Sequence, residues 1–115
     1  MQVLVTGGAG FIGSHVVDAC LAAGHQVAAL DDLSTGKREN VNPAATLHVA
    51  DLRDRSALDE ALAAVRPEVV FHLAATANVR ESMVEPVLYA QVNILGSLNL
   101  LESARAHGTR KIVYA

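Results

Sequence analysis

Residues Val3 to His15, VLVTGGAGFIGSH, decide the fold of this chain. Val3, Leu4 and Val5 form a short apolar run suited to a strand buried on both faces. Thr6 ends the run, and Gly7, Gly8, Gly10 and Gly13 follow. Ile12, Val16, Ala19, Cys20 and Ala23 then recur at helical spacing, which places them on one face of a helix. The stretch therefore reads strand, glycine turn, helix. Gly7 permits a turn that a Cβ would obstruct. Gly10 lets the backbone approach a pyrophosphate, and Gly13 lets the helix lie close on the strand. The first amides of the helix face the phosphates, aided by the helix dipole. A glycine triplet carries this reading only with a strand before it and a helix after it, and both are present.

Outward from that stretch, Gly24 stands where a helix C-terminus is expected. Gln26 to Leu30 reads as a second buried strand and ends at Asp31-Asp32. Asp31 lies 18 positions after Gly13. Dinucleotide folds place an acidic residue in this range, where its carboxylate accepts the ribose hydroxyls and repels a 2′-phosphate. The plainer reading of Asp31 is a turn or cap residue. Lys37 and Arg38, in the polar loop 33–42, point the other way, since an arginine there can accept a 2′-phosphate. The two aspartates outweigh them, so NAD is the expected cofactor.

Thr46 to Ala50 is a third strand. A helix begins at Asp54 or Ser56, with Ser56 and Asp59 in capping-box spacing, and Pro67 stops it. Leu58, Leu62 and Val65 make its buried face. Glu68 to His72 is a fourth strand, running into Leu73-Ala74-Ala75. Imidazole titrates near neutrality, which invites a catalytic reading of His72. At the end of a buried strand without an evident partner, it reads as structural. Ala77 to Glu81 is a loop. Ser82 and Glu85 have capping-box spacing, and Pro86 suits a first helical position. The helix should run to about His107, with Gly108 just beyond it. Leu88, Val92, Leu95, Leu98 and Leu101 form its apolar stripe, widened by Leu100 and Ala104. A helix this apolar should contact more than its own sheet. Lys111 to Ala115 is a fifth strand. The fold class is α/β: a doubly wound, Rossmann-type parallel sheet in order 3-2-1-4-5, with helices on both faces. A ligand should lie across the C-terminal strand ends, where the order reverses.

Composition narrows the function classes. At 115 residues the chain is at most one domain. Its hydrophobic share of 51% with only 3% aromatics implies an aliphatic core. A net charge of −3 without a basic tract argues against nucleic acid as a partner. The single Cys20 excludes an internal disulfide framework and reads as a core thiol. No apolar run reaches the ~18 residues of a membrane span, and no signal peptide is evident, so no membrane partner and a cytoplasmic location are expected. Metal-ligand spacings, a nucleophile elbow and a paired-carboxylate signature are absent from the sequence.

The spacing Gly7, Gly10, Gly13 and the wording GGAGFIGSH resemble the extended branch of the short-chain dehydrogenase/reductase superfamily, in particular the nucleotide-sugar epimerases and dehydratases. The strings DDLSTGKRENV and HLAA, and the run Asn93 to Gly96, are similar to that family as well. The resemblance implies cofactor contacts from Gly7, Gly10, Phe11, Ile12 and Gly13, and from Asp31, Asp32, Leu33, Ser34, Thr35 and Gly36. It implies further contacts from Asp51 and Leu52 beside adenine, from Leu73, Ala74 and Ala75 beside the pyrophosphate and nicotinamide ribose, and from Asn93. A polar contact between helices is the other reading of Asn93. Some sugar epimerases carry a lysine where this chain has Ala77, so no lysine contact is expected.

The family chemistry needs a serine or threonine after the fifth strand and a Tyr-x-x-x-Lys pair on the next helix. Tyr89 and Tyr114 have no lysine at that spacing. The chain is thus expected to form the N-terminal NAD-binding portion of a nucleotide-sugar 4-epimerase, truncated after strand 5 and inactive alone. No catalytic residue is assigned. Alternatives are a piece of a 4,6-dehydratase or other extended reductase, and a non-catalytic dinucleotide-binding module. A nucleotide sugar would be the substrate of the complete enzyme. Self-association is expected, as a homodimer through the helix 86–107, since some of its apolar stripe should lack cover, or by edge pairing through residues 111–114.

Overall fold

A computed structural model describes residues 1–74 and 83–114. Its elements, in order, are β1 (Gln2–Thr6), α1 (Phe11–Ala22), β2 (Gln26–Asp31), a 3-10 turn (Arg38–Asn40), β3 (Thr46–Val49), α2 (Arg55–Val65), β4 (Val69–His72), α3 (Pro86–Ala90), a π-helical turn (Gln91–Leu95), α4 (Gly96–Ala106) and β5 (Lys111–Tyr114). The five strands are parallel and lie in the order β3-β2-β1-β4-β5. The sheet thus has the expected order.

β1 is central because its side chains are apolar on both faces. Val3 and Val5 pack with Val17, Val27 and Ala29 on the α1 side. Leu4 packs with Leu58, Leu62, Val70 and Leu100 on the α2 and α4 side. This alternation is the two-residue period of a strand. Leu4, Leu58, Leu62 and Leu100 are fully buried, and each such side chain contributes about 1.5–3 kcal/mol.

Two local details differ from the sequence reading, and a third decides between the two starts it gave for α2. The buried face of α1 is Gly13, Ser14 and Val17 rather than the Ile12 face. A Cβ on Gly13 would sit 2.0 Å from the Gly7 carbonyl oxygen, so the glycine side must face inward, and Ile12 turns outward at 67% exposure. Asp54, not Ser56, caps α2, its side chain accepting from the Ala57 amide at 3.1 Å. The long helix is not uniform: α3 and α4 are joined by the π-helical turn. Its sheet-facing stripe is Gly96, Ser97, Leu100, Ser103 and Ala104, while Leu88, Leu95, Leu98 and Leu101 stay exposed. Small residues face inward because α4 presses on α2, where Ser103 donates to Asp59 at 2.6 Å. Pro86 begins α3, and Gly24 and Gly108 follow α1 and α4 with positive φ, as read. Ser82 and the loop Ala77–Glu81 lie outside the described residues.

Candidate functional site

A cleft opens at the C-terminal ends of β1, β2, β3 and β4, beside the glycine turn. Gly7 and Gly10 line it from that turn, and Asp31, Asp32, Ser34 and Thr35 from the end of β2 and its loop. Asp51 and Leu52 line it after β3, Leu73 and Ala74 after β4, and Val92 from the π-helical turn.

The glycine turn is built by close contact. Gly7 has φ +71, in the left-handed region. A Cβ there would also meet the Ala74 amide nitrogen at 2.9 Å. The Gly7 amide donates to the Leu30 carbonyl at 2.7 Å, and the Gly10 amide to the Gly7 carbonyl at 3.1 Å. Within α1, Ser14 is the first residue whose amide bonds back into the turn, to the Gly10 carbonyl at 3.0 Å. An α-helix leaves its earlier amides as free donors, so those of Phe11, Ile12 and Gly13 carry the positive end of the dipole. Gly10 contrasts with Gly13. A Cβ on Gly10 would meet only the Gly7 carbonyl, at 3.3 Å, and would otherwise enter the cleft.

Asp31 is buried, with 8% exposure. One carboxylate oxygen accepts from the Ala9 amide at 3.0 Å and the other from the Leu33 amide at 2.8 Å. Each oxygen has a second lone pair available. The carboxylate therefore joins the glycine turn to the loop after β2. That loop is fastened again through Ala9, whose carbonyl accepts from the Lys37 amide at 3.1 Å and the Asn40 side chain at 2.9 Å. Gly36 packs so closely on Ala9 that a Cβ would lie 2.8 Å from its carbonyl carbon. Asp32 accepts from the Ser34 amide and hydroxyl at 3.0 and 2.8 Å. Lys37 and Arg38 are exposed and do not line the cleft.

Asp51 accepts from Arg53 through both carboxylate oxygens, at 2.9 and 3.1 Å from Nε. That hydrogen bond is the main reason its carboxyl titrates below the usual carboxylate range. Burial pulls the other way and is outweighed. Beside Asp51, Leu52 is buried, and Gly96 seats against it, where a Cβ would lie 2.7 Å from the leucine Cβ.

The cleft thus gathers Gly7, Gly10, Asp31, Asp32, Ser34, Thr35, Asp51, Leu52, Leu73 and Ala74 of the expected residues. Gly13, Leu33 and Gly36 support it from behind through the contacts above. Phe11 and Ile12 are exposed at the start of α1, and Asn93 lies in the π-helical turn next to Val92; none of these three lines the cleft. Ala75 lies outside the described residues. Leu30, Ala50 and Val92 also line the cleft and were not anticipated. For Leu30 and Ala50 the signal was available, since each precedes an aspartate at a strand end. His72, read as lacking a partner, has two, Thr6 and Ser97. Among the described residues no cluster could hold a metal ion, and no helix is long and apolar enough to cross a membrane.

The cleft can take an extended ligand with anionic and hydroxylated parts. Helix amides and an open Gly10 suit phosphates, and buried Asp31 suits vicinal hydroxyls.

The model of the NAD dependent epimerase/dehydratase family matches residues 3–115. The UDP-glucose 4-epimerase of Mycolicibacterium smegmatis is 47% identical over 119 aligned residues, which cover 99% of this chain and 38% of that protein. The structure of the Thermus thermophilus UDP-glucose 4-epimerase in complex with NAD matches with a TM-score of 0.95 at 53% identity. That match covers 97% of this chain and 36% of the other. The Thermotoga maritima UDP-glucose 4-epimerase with UDP-glucose matches at 46% identity and TM-score 0.96, covering 99% and 37%. The chain therefore spans well under half the length of the relatives it matches.

Proposed function

Because the chain belongs to the NAD dependent epimerase/dehydratase family, we propose that it is the NAD-binding portion of a UDP-glucose 4-epimerase-type enzyme. The observation that carries this reading is the cleft formed by Gly7, Gly10 and buried Asp31 at the point where strand order reverses. Its residues fit the cofactor: the space a Cβ would fill at Gly10 suits a pyrophosphate, and Asp31 suits a ribose that carries free hydroxyls. Asp31, Asp32 and Asp51 together disfavour a 2′-phosphate, while Lys37 and Arg38 do not line the cleft. Gly7, Gly10, Phe11, Ile12 and Gly13 would bind the pyrophosphate by backbone. Asp31 to Gly36 would hold the adenosine ribose, and Asp51 and Leu52 the adenine. Leu73 and Ala74 would line the nicotinamide side, joined by Ala75 beyond the described residues, and Asn93, set back from the cleft, would reach toward it. When bound, the cofactor accepts and returns the hydride of a sugar hydroxyl carbon. The 115 residues contain no Tyr-x-x-x-Lys pair, so they supply binding and orientation and no acid or base. In the complete protein the substrate would be a nucleotide sugar, in the cytoplasm.

The exposed face of Ile94, Leu95, Leu98 and Leu101 supports pairing of the segment 86–106 with a second copy. Contiguous apolar surface of this kind is uncommon on soluble monomers.

Calorimetric titration with NAD and NADP tests the cofactor reading. NAD should bind more tightly. Asp31→Ala should weaken NAD by ~1–3 kcal/mol, the scale of a lost charge-assisted hydrogen bond. Equal or tighter NADP binding would transfer the role to Lys37 and Arg38.

A further inference from the structure

Three buried side chains join two walls of the cleft. Thr6 ends β1, His72 ends β4 and Ser97 lies in the first turn of α4; their exposures are 0%, 4% and 8%. The Leu73 amide is shared between the Thr6 hydroxyl at 3.0 Å and the Thr6 carbonyl at 3.2 Å, and the Ala74 amide donates to the hydroxyl at 3.1 Å. The Thr6 hydroxyl lies 2.7 Å from His72 Nδ1. His72 Nε2 lies 2.9 Å from the Ser97 hydroxyl, which donates to the Asn93 carbonyl at 2.8 Å.

The proton positions follow from counting. A threonine hydroxyl has two lone pairs and one hydrogen. Two amides already donate toward the Thr6 hydroxyl oxygen, one of them shared with the Thr6 carbonyl, so the hydroxyl hydrogen is best placed toward Nδ1 as the bare nitrogen. At the other end Ser97 spends its hydrogen on Asn93, so Nε2 must donate to Ser97. The Ser97 end fixes the tautomer, and the Thr6 end agrees with it. We propose that His72 is a positioning residue: as the neutral Nε2–H tautomer, it is the middle link of a one-way hydrogen-bond chain. That chain holds the Leu73–Ala74 wall in register with the Gln91–Leu95 turn. Such chains strengthen along their length, and a break at one link is felt at the others.

An imidazolium cannot enter this chain, since it would offer Thr6 a third donor. Burial acts in the same direction and pushes the His72 pKa below its ordinary value. Among the described residues, β1 offers it Thr6, α4 offers Ser97 and β5 offers the Tyr114 ring at 5.1 Å. A π-helical turn often marks a functional place in a helix. Here the turn lines the cleft through Val92, and Ser97 bonds the carbonyl next to it.

The test is nitrogen-resolved NMR of the imidazole in the 115-residue chain. The expected spectrum has a protonated Nε2 and a bare Nδ1 at neutral pH. Ser97→Ala should then shift the amide resonances of Leu73 and Ala74, at the far end of the chain. Thr6→Ser, which keeps the hydroxyl, should restore both signatures relative to Thr6→Val. An Nδ1–H tautomer, an imidazolium at neutral pH, or unmoved Leu73 and Ala74 amides in Ser97→Ala would overturn the proposal. If Ser97→Ala does not fold, the tautomer of the unaltered chain decides. A consequence rests on the NAD reading: Ser97→Ala should weaken NAD about tenfold, the size of one lost hydrogen bond. Failure of the unaltered chain to bind NAD would sink that reading, while the imidazole and amide signatures judge the chain of bonds alone.

Discussion

Gly10 and Gly13 separate binding from folding within one motif. Gly13→Ala would put a Cβ 2.0 Å from a backbone oxygen that cannot retreat. The cost should reach or pass the ~3 kcal/mol upper end of ordinary overpacking, read as a loss of urea midpoint. Gly10→Ala meets one atom at 3.3 Å, and its φ of −83 suits any residue. It should fold nearly as the parent does and lose at least about tenfold in NAD affinity, since its Cβ occupies phosphate space. Equal stability of the two variants would refute the packing role of Gly13. His72 sets a pH dependence. Its folded pKa lies below the unfolded value of about 6.5. Above that value both states are neutral and it contributes nothing. As pH falls through it, the unfolded chain binds a proton that the folded chain refuses, so stability declines. The slope in that window is bounded by the one-proton limit of about 1.4 kcal/mol per pH unit. Asp51, held low by Arg53, adds a separate loss below the ordinary carboxylate range. Urea melts at pH 7.5 and 5.5 should show the first effect, and His72→Gln should flatten it.

At the scale of elements, what could be read from sequence depended on how many residues shared one cause. β1 was legible because Val3, Leu4 and Val5 are all apolar and a glycine turn follows them at once, which suits a strand buried on both faces. The glycine turn was legible because each glycine does one geometric job. The face of α1 was misjudged because hydropathy weights Ile12 above Gly13, while close approach to Gly7 decides the orientation. The same error recurs in α4. Leucines suggest the buried side, yet the small residues Gly96, Ser97 and Ser103 meet Leu52, His72 and Asp59. The π-helical turn has no periodic signature in these five residues. Asp31 was legible by spacing, whereas its two amide bonds depend on loop geometry no spacing reveals. The exposed leucine face carries the dimer expectation. Leu98→Glu with Leu101→Glu should convert a dimer to monomer in light scattering with helicity unchanged, because both side chains are about half exposed. A parent chain that is monomeric at high micromolar concentration would contradict this.

At the scale of the whole molecule, the proposed function places NAD in one cleft, built at the reversal of strand order, and assigns no acid or base to these 115 residues. Purified 115-residue chain given NAD and UDP-sugars should show no turnover. The most direct measurement is an amide NMR titration of the chain with NAD. Saturable shifts should concentrate at Gly7 to Gly13, Asp31 to Gly36, Asp51, Leu52, Leu73 and Ala74, and spare the opposite strand ends at Gln2, Gln26 and Lys111. Absence of saturable shifts, or shifts centred on those opposite ends, would contradict the account.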